Sequence, residues 1–189
     1  FGVLKGLRDI PEPKKLEIAP YGLSSFREQK SNFNYGVDLR YGLSSSAIIN
    51  ATINPDFGQV EADPSVLNLS AFETFYDEKR PFFSEGASFF QHKLKLFHSR
   101  RIGSAPNYFE PDSGDLENLS DNTTIIGALK LLGSTTSGWN YGMINAITSE
   151  ESADLITSNN KKESFLVEPQ TNYSVGRIEK SIINKFSRV

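Results

Sequence analysis

The chain has no cysteine, one methionine, one tryptophan and two histidines among 189 residues. Without cysteine there is no disulfide, no thiolate nucleophile and no cysteine-ligated zinc or iron–sulfur site, although the compartment is not fixed by that alone. With His92 and His98 as the sole histidines, a Ser–His–Asp triad or a histidine-rich metal centre would have to use one of them. His-Glu-x-x-His, Gly-x-Ser-x-Gly and Walker-type phosphate loops are missing. No run of about 18 apolar residues occurs, which excludes a membrane-spanning helix but not a spanning strand, for which about 9–11 alternating residues suffice. Basic residues are slightly outnumbered, 20 against 23 acidic for a net charge of −3, and form no dense stripe. Nucleic acid is therefore not expected as a partner. What is abundant is aromatic surface, 14 Phe and 7 Tyr, in a chain whose 38% hydrophobic content is too high for disorder. One domain is the expectation for this length, and a chain that opens on Phe1 reads as a piece of something longer.

Period-two alternation is clearest from Phe33 to Gly42, where Phe33, Tyr35, Val37, Leu39 and Tyr41 alternate with Asn34, Gly36, Asp38, Arg40 and Gly42. That pattern predicts a strand with one apolar and one polar face, its aromatics at the ends. A short turn, Leu43–Ser46, leads to a second strand over Ala47–Asn54, in which Ile48 breaks the alternation. A second hairpin is predicted from Thr123–Leu132 and Trp139–Thr148 around the turn Gly133–Gly138. In its first strand Ile125, Leu129 and Leu131 fall on one side and Thr124, Ala128 and Lys130 on the other, with Ile126 exceptional. Weaker strands are expected over Leu16–Arg27 and Gln170–Lys180; in the latter, Arg177 falls on the side of Tyr173 and Val175.

Between the hairpins, residues 55–122 lack a sustained period of two. They contain one expected helix, Pro64–Lys79, with Asp63 as N-cap or with a later start at Ser70, ended by Arg80-Pro81. The segment is strongly acidic, twelve Asp and Glu against six Lys and Arg, and four of the six cations fall between His92 and Arg101. A structureless loop of that length is improbable, so a packed insert is expected. The organisation read from the sequence is thus 1–54 first strands, 55–122 helix-containing insert and 123–189 further strands, incomplete at both ends. Short connections alternate with long ones, namely 55–122 and the polar stretch 149–168. Outer-membrane barrels show this alternation, and so do soluble antiparallel sheets.

The run Asn54-Pro-Asp-Phe-Gly-Gln-Val-Glu-Ala-Asp-Pro64, followed by Val66–Phe75, Glu78–Phe83, Glu85-Gly86 and Ser99–Gly103, resembles a family of large Gram-negative outer-membrane β-barrel proteins of unassigned function. Members usually carry an amino-terminal sandwich similar to family-nine carbohydrate-binding modules. Gly6-Leu7, Leu16-Glu17 and Pro20-Tyr21 are similar to the junction between sandwich and barrel. Gly127-Ala128, Lys130-Leu131, Gly133, Trp139, Glu168-Pro169, Thr171–Tyr173 and Val175–Arg177 are similar to later barrel strands. The resemblance implies an all-β, mainly antiparallel fold, part of an outer-membrane-type barrel in a Gram-negative outer membrane. Its partners would be outer-membrane lipid, the rest of its own barrel and a glycan or other polar ligand; in such a barrel the length, phenylalanine content and acidic charge of residues 55–122 lead us to expect that they constrict the lumen. The alternative is a soluble secreted carbohydrate-binding or glycoside-hydrolase-associated module.

Candidate ligand or lumen residues are the charged ones of the insert. Asp56, Glu61 and Asp63 offer hard oxygens for Ca²⁺ without EF-hand spacing, and they equally serve as a helix cap and solvated acids. A carboxylate pair for glycoside cleavage needs a fixed separation that sequence proximity does not establish. Glu78, Arg80 and Glu85 surround Pro81-Phe82-Phe83, and Arg100 and Arg101 follow the run from His92. Arginines can hold carboxylate or phosphate bidentately, or pair with the acids of an inserted segment. No cofactor is expected beyond that weak Ca²⁺ reading, and no residue set demands catalysis. Ser158-x-x-Lys161 has a serine–lysine spacing but sits in a polar stretch without companion motifs.

Overall fold

The computed structural model describes residues 15–27, 30–55, 77–92, 94, 96–106, 109–157, 159 and 161–181. The strands are β1 (Leu16–Arg27), β2 (Lys30–Ser44), β3 (Ala47–Ile53), β4 (Asp115–Glu117), β5 (Ile125–Ser134), β6 (Trp139–Thr148), β7 (Glu151–Ile156), β8 (Lys162–Glu168) and β9 (Thr171–Lys180). Two one-turn helices, α1 (Pro81–Ser84) and α2 (Ala87–Phe90), and a 3₁₀ turn at Ser99–Arg101 lie in the insert. The protein is mainly antiparallel β, in a six-stranded sheet ordered β1-β2-β3-β5-β6-β9 and a three-stranded sheet ordered β4-β7-β8. Both expected hairpins are present. They belong to one sheet because β3 pairs with β5 from Ala47 opposite Gly133 to Ile53 opposite Gly127. The six-stranded sheet is not closed: β1 and β9 each carry an edge with no strand partner among the described residues.

Three expectations are corrected. The stretch 149–168, read as a polar connection, holds the β7–β8 hairpin, and β4 pairs with it. Ile125, expected with Leu129 and Leu131, is buried on the opposite face with Ala128 and Lys130. The cause is a β-bulge between Ile125 and Gly127, which leaves Ile126 as the extra residue and reverses the alternation across it. Finally, Arg80-Pro81 begins a helix rather than ending one, since Pro81 stands in the first turn of α1, where its missing N–H has no partner to lose. Of the helix expected over Pro64–Lys79, residues 64–76 lie outside the described residues and Asp77–Lys79 are not helical.

One face of the large sheet is largely apolar and open. Phe33, Tyr35, Tyr41 and Leu43 of β2, Leu129 of β5, Met143 and Ile147 of β6 and Ile178 of β9 are all exposed, Phe33 to 71% and Ile178 to 69%. The register lines them up across strands: Tyr41, Ile49, Leu131 and Met143 form one lateral row, and Leu39, Ala51 and Leu129 the next. Aromatic side chains mark both ends, Phe33 and Tyr35 at one and Trp139 at the other, where the Lys180 ammonium lies 4.6 Å from the indole centre. A polar cluster on this face satisfies itself: Asn145 Nδ2 donates to Asn172 Oδ1 and Ser174 Oγ, both at 2.7 Å on the neighbouring strand.

The opposite face carries Asp38, Arg40, Asn50, Thr52, Lys130, Arg177 and Glu179, and the insert packs on it. Phe83, Phe90 and Ile102 of the insert and Ile125, Ala128, Ile144 and Ala146 of the sheet form the buried core, with Phe82, Phe89 and Phe97 against it. Close approach needs two glycines. A side chain at Gly142 would have its Cβ 2.6 Å from the Phe89 ring, and Gly86, at φ +70, turns the chain between α1 and α2 where a Cβ would collide with Leu132. The tight turns at Ser45-Ser46 and Thr135–Ser137 lie side by side, Ser134 N donating to Ser46 O at 2.9 Å. The two long connections leave from the other end of the sheet, and their segments build the three-stranded sheet together.

Candidate functional site

The site is the polar face of the large sheet with the insert seated on it. Four-residue helices satisfy few of their own carbonyls, so α1 and α2 depend on outside donors. The sheet supplies them as cations. Lys130, 1% exposed in the middle of β5, donates its Nζ to the backbone carbonyls of Phe82 and of Glu85, the latter at 2.6 Å, with the Phe82 ring 4.9 Å away. Arg177 of β9 donates Nη1 to the carbonyls of Phe89 and Gln91, both at 2.5 Å, lies 5.5 Å from the Phe89 ring centre and pairs with Glu179. Each cation thus meets the carboxyl end of a one-turn helix, the end that attracts positive charge.

A second centre lies inside the insert. Arg80, buried, forms a fork–fork pair with Glu78, Nε to Oε1 at 2.8 Å and Nη2 to Oε2 at 2.7 Å, and donates to the carbonyls of Ile102 at 2.6 Å and Ser99 at 2.8 Å. Ser99 Oγ completes the carboxylate's shell at 2.5 Å, and the guanidinium lies 4.3 Å from the Phe83 ring centre. This clamp ties Glu78–Phe83 to the 3₁₀ turn. Burial works to raise the Glu78 carboxyl, but hydrogen bonds from Arg80 and Ser99 and the charge of Arg80 outweigh it and hold the group below its ordinary value of 4.5. A depressed carboxyl contributes stability that is present above the unfolded-state value and is lost as pH falls through the folded-state value. Amide protection at Phe83 and Ile102 is therefore expected to weaken on acidification below the ordinary glutamate range. Glu78→Gln is expected to flatten that dependence, and hydrogen exchange across an acid series reads both.

Glu85 belongs to neither centre's interior. Its carboxylate crosses to the sheet, meeting Arg40 Nη1 at 3.0 Å and Asn50 Nδ2 at 2.9 Å, on the wall of an open cleft of about 830 Å³ between the insert and β2–β3. A smaller cavity, about 420 Å³, lies between the insert and β6, beside Glu78, His92, His98 and Ile144.

The structure thus joins Glu78 to Arg80 and places Glu85 apart from both. Arg100 donates to the carbonyl of Asp77 at 3.0 Å, while Arg101 is exposed on the 3₁₀ turn, so this pair does not line the cleft. Asp56, Glu61 and Asp63 lie outside the described residues, and with them the calcium and glycosidase readings. Among the described residues no group of three or more His, Cys, Asp or Glu could hold a metal ion. Arg40, Asn50, Lys130 and Arg177 were not singled out as site residues from the sequence. For Arg40, Asn50 and Lys130 the signal was there, as charge or amide at the polar phase of otherwise apolar strands, whereas Arg177 shares its phase with Tyr173 and Val175.

The family model described as "Domain of unknown function (DUF5916)" matches residues 12–189. The chain belongs to that family. It is a family of unassigned function, as the resemblance implied, and the match by itself carries neither a barrel nor an amino-terminal sandwich. Comparison with curated proteins and with solved structures finds no match.

Proposed function

We propose that the chain is part of an outer-membrane β-barrel protein, a pore or a surface receptor for a polar ligand, with residues 55–122 folded into the lumen as a constriction. The supporting observation is the inverted sheet. In water the apolar face would be buried and the charged face wet, whereas here the apolar face is open and the charged face carries the protein's own insert, which buries Lys130 and Glu179 while Arg40 stays half exposed. The three-stranded sheet does not cover the apolar face, whose side chains keep their exposure. Strands β5, β6 and β9 are ten residues each, within the roughly 9–11 that a tilted strand needs to cross the hydrocarbon layer. Tight turns at one end and long connections at the other give the sidedness of such barrels. Closure requires further strands between the edges of β1 and β9, because unpaired backbone groups are not tolerated in lipid.

Spin labels placed singly at Tyr35, Val37, Asp38 and Arg40 of the full-length protein in liposomes test this. Lipid-dissolved oxygen is expected to reach the labels at Tyr35 and Val37 and to be excluded from those at Asp38 and Arg40. Equal accessibility on both faces overturns the reading, as does a monomeric, cooperatively folded full-length protein that never requires detergent.

A further inference from the structure

The described part of the insert is fastened to the two halves of the sheet by different means. Toward β5, β6 and β9 it is held by Lys130 and Arg177 through four backbone carbonyls, by Phe89 lying against Gly142 and by the buried core. Toward β2 and β3 it is tied by the carboxylate of Glu85, through Arg40 and Asn50. That ion pair is half exposed, 50% and 44% for the two side chains, and it stands on the wall of the 830 Å³ cleft with Lys15, Ser44 and Ser46. The Glu85 backbone is fixed by Lys130, which binds its carbonyl, and by its own N–H donating to Pro81 O at 3.2 Å. Its carboxylate can therefore leave Arg40 by rotation about side-chain bonds while the insert stays seated.

We propose that the Arg40–Glu85 pair is the gate of a solute path running between the insert and the β2–β3 wall, and that the path favours small zwitterions; the proposal rests on the barrel reading. When the pair separates, a cation and an anion face each other across the gap. An anionic solute would engage Arg40 and leave Glu85 without its cation, and a cationic solute would do the reverse. A zwitterion replaces both halves of the pair at once, so neither charge goes unpaired. Serine hydroxyls at the tight-turn end add neutral donors and acceptors along the same wall.

The test uses full-length protein in liposomes loaded with labelled taurine, a zwitterion, isethionate, a permanent anion of similar size, or choline, a permanent cation. Taurine is expected to leave fastest. The double variant Arg40→Gln/Glu85→Gln is expected to speed all three and to shrink taurine's lead by about two- to fivefold, the range that a partly exposed ion pair supplies. Arg40→Gln alone should favour choline and Glu85→Gln alone isethionate, while the swap Arg40→Glu/Glu85→Arg should restore the taurine preference and thereby report a folded gate. If the inserted protein passes all three solutes and the variants leave their ratios unchanged, or if it passes none, the gate is overturned with the barrel intact. If spin-label accessibility shows that the protein does not insert, it is the barrel reading that falls.

Discussion

Leu129→Arg is expected to destabilise the membrane-inserted full-length protein by about 2–4 kcal/mol, the cost of an arginine near the middle of a barrel's lipid face. Leu129 is exposed on the apolar face, in the same lateral row as Leu39 and Ala51 and near the middle of β5. In a water-soluble sheet the same change would remove an exposed leucine in favour of a solvated cation and would be within about 0.5 kcal/mol of neutral. Urea unfolding in lipid vesicles measures the difference. A neutral result would mean that this face meets water or a polar surface and would end the lipid assignment.

One residue along, Lys130→Met should have a large effect of another kind. The methionine keeps the length of the apolar stem but donates nothing, so the carbonyls of Phe82 and Glu85 lose a shared donor on the covered face. Each unsatisfied buried group costs about 1–3 kcal/mol. The strain falls on the seating of the insert, and the sheet ladder of β5 is untouched because backbone pairing does not use the side chain. Hydrogen exchange at Phe83, Phe90 and Ile102 is expected to quicken by roughly a hundredfold, the equivalent of about 3 kcal/mol. Exchange along β5 and β6 should hold, and single-channel conductance should rise as the insert lifts. Unchanged protection of the insert would show that Lys130 is not its anchor.

The strands of the large sheet were legible because alternation survives either orientation of a sheet: the period of two reports that one face is apolar, not which medium it meets. The register of Phe33, Tyr35 and Tyr41 against Asp38 and Arg40 was therefore readable, and so was the pairing of the two hairpins. The bulge at Ile126 was visible only as an exception, because one inserted residue changes the phase on one side of it and a single irregular position does not say which side. Strands β7 and β8 were hidden by composition. Their apolar residues, Ala153, Leu155 and Ile156 in β7 and Phe165–Val167 in β8, form clusters of three among charges, too short to stand out from a polar connection.

The insert was legible as charge and not as shape. Its helices are single turns, shorter than one period of the pattern by which helices are recognised, and Pro81 signals a stop as readily as a first turn. Glu78 and Arg80 are two residues apart, but the sequence offers the insert's acids to its arginines without singling out this pair. The ties of Lys130 to Glu85 and of Arg177 to Phe89 span some 45 and 88 positions and end on backbone carbonyls, which every residue possesses. No side-chain chemistry in the sequence marks such acceptors, and only the fold selects among them.

The ladder between β3 and β5 carries a consequence for assembly. Ile53 and its partner Gly127 are separated by roughly 70 residues of chain, whereas the strands of each hairpin meet across a tight turn. Bringing such distant segments together costs about 3 kcal/mol more loop-closure entropy than a two-residue turn, at about 0.6 kcal/mol for each doubling of loop length. The β1–β2–β3 meander and the β5–β6 hairpin should therefore form early and zip together last. Because the intervening chain must lie over the charged face when that seam closes, a chain with its insert misplaced would be left with two half-sheets and four open edges. The insert is in that sense the template on which the wall is joined, and its removal should slow maturation of the protein well before it alters what the mature protein does.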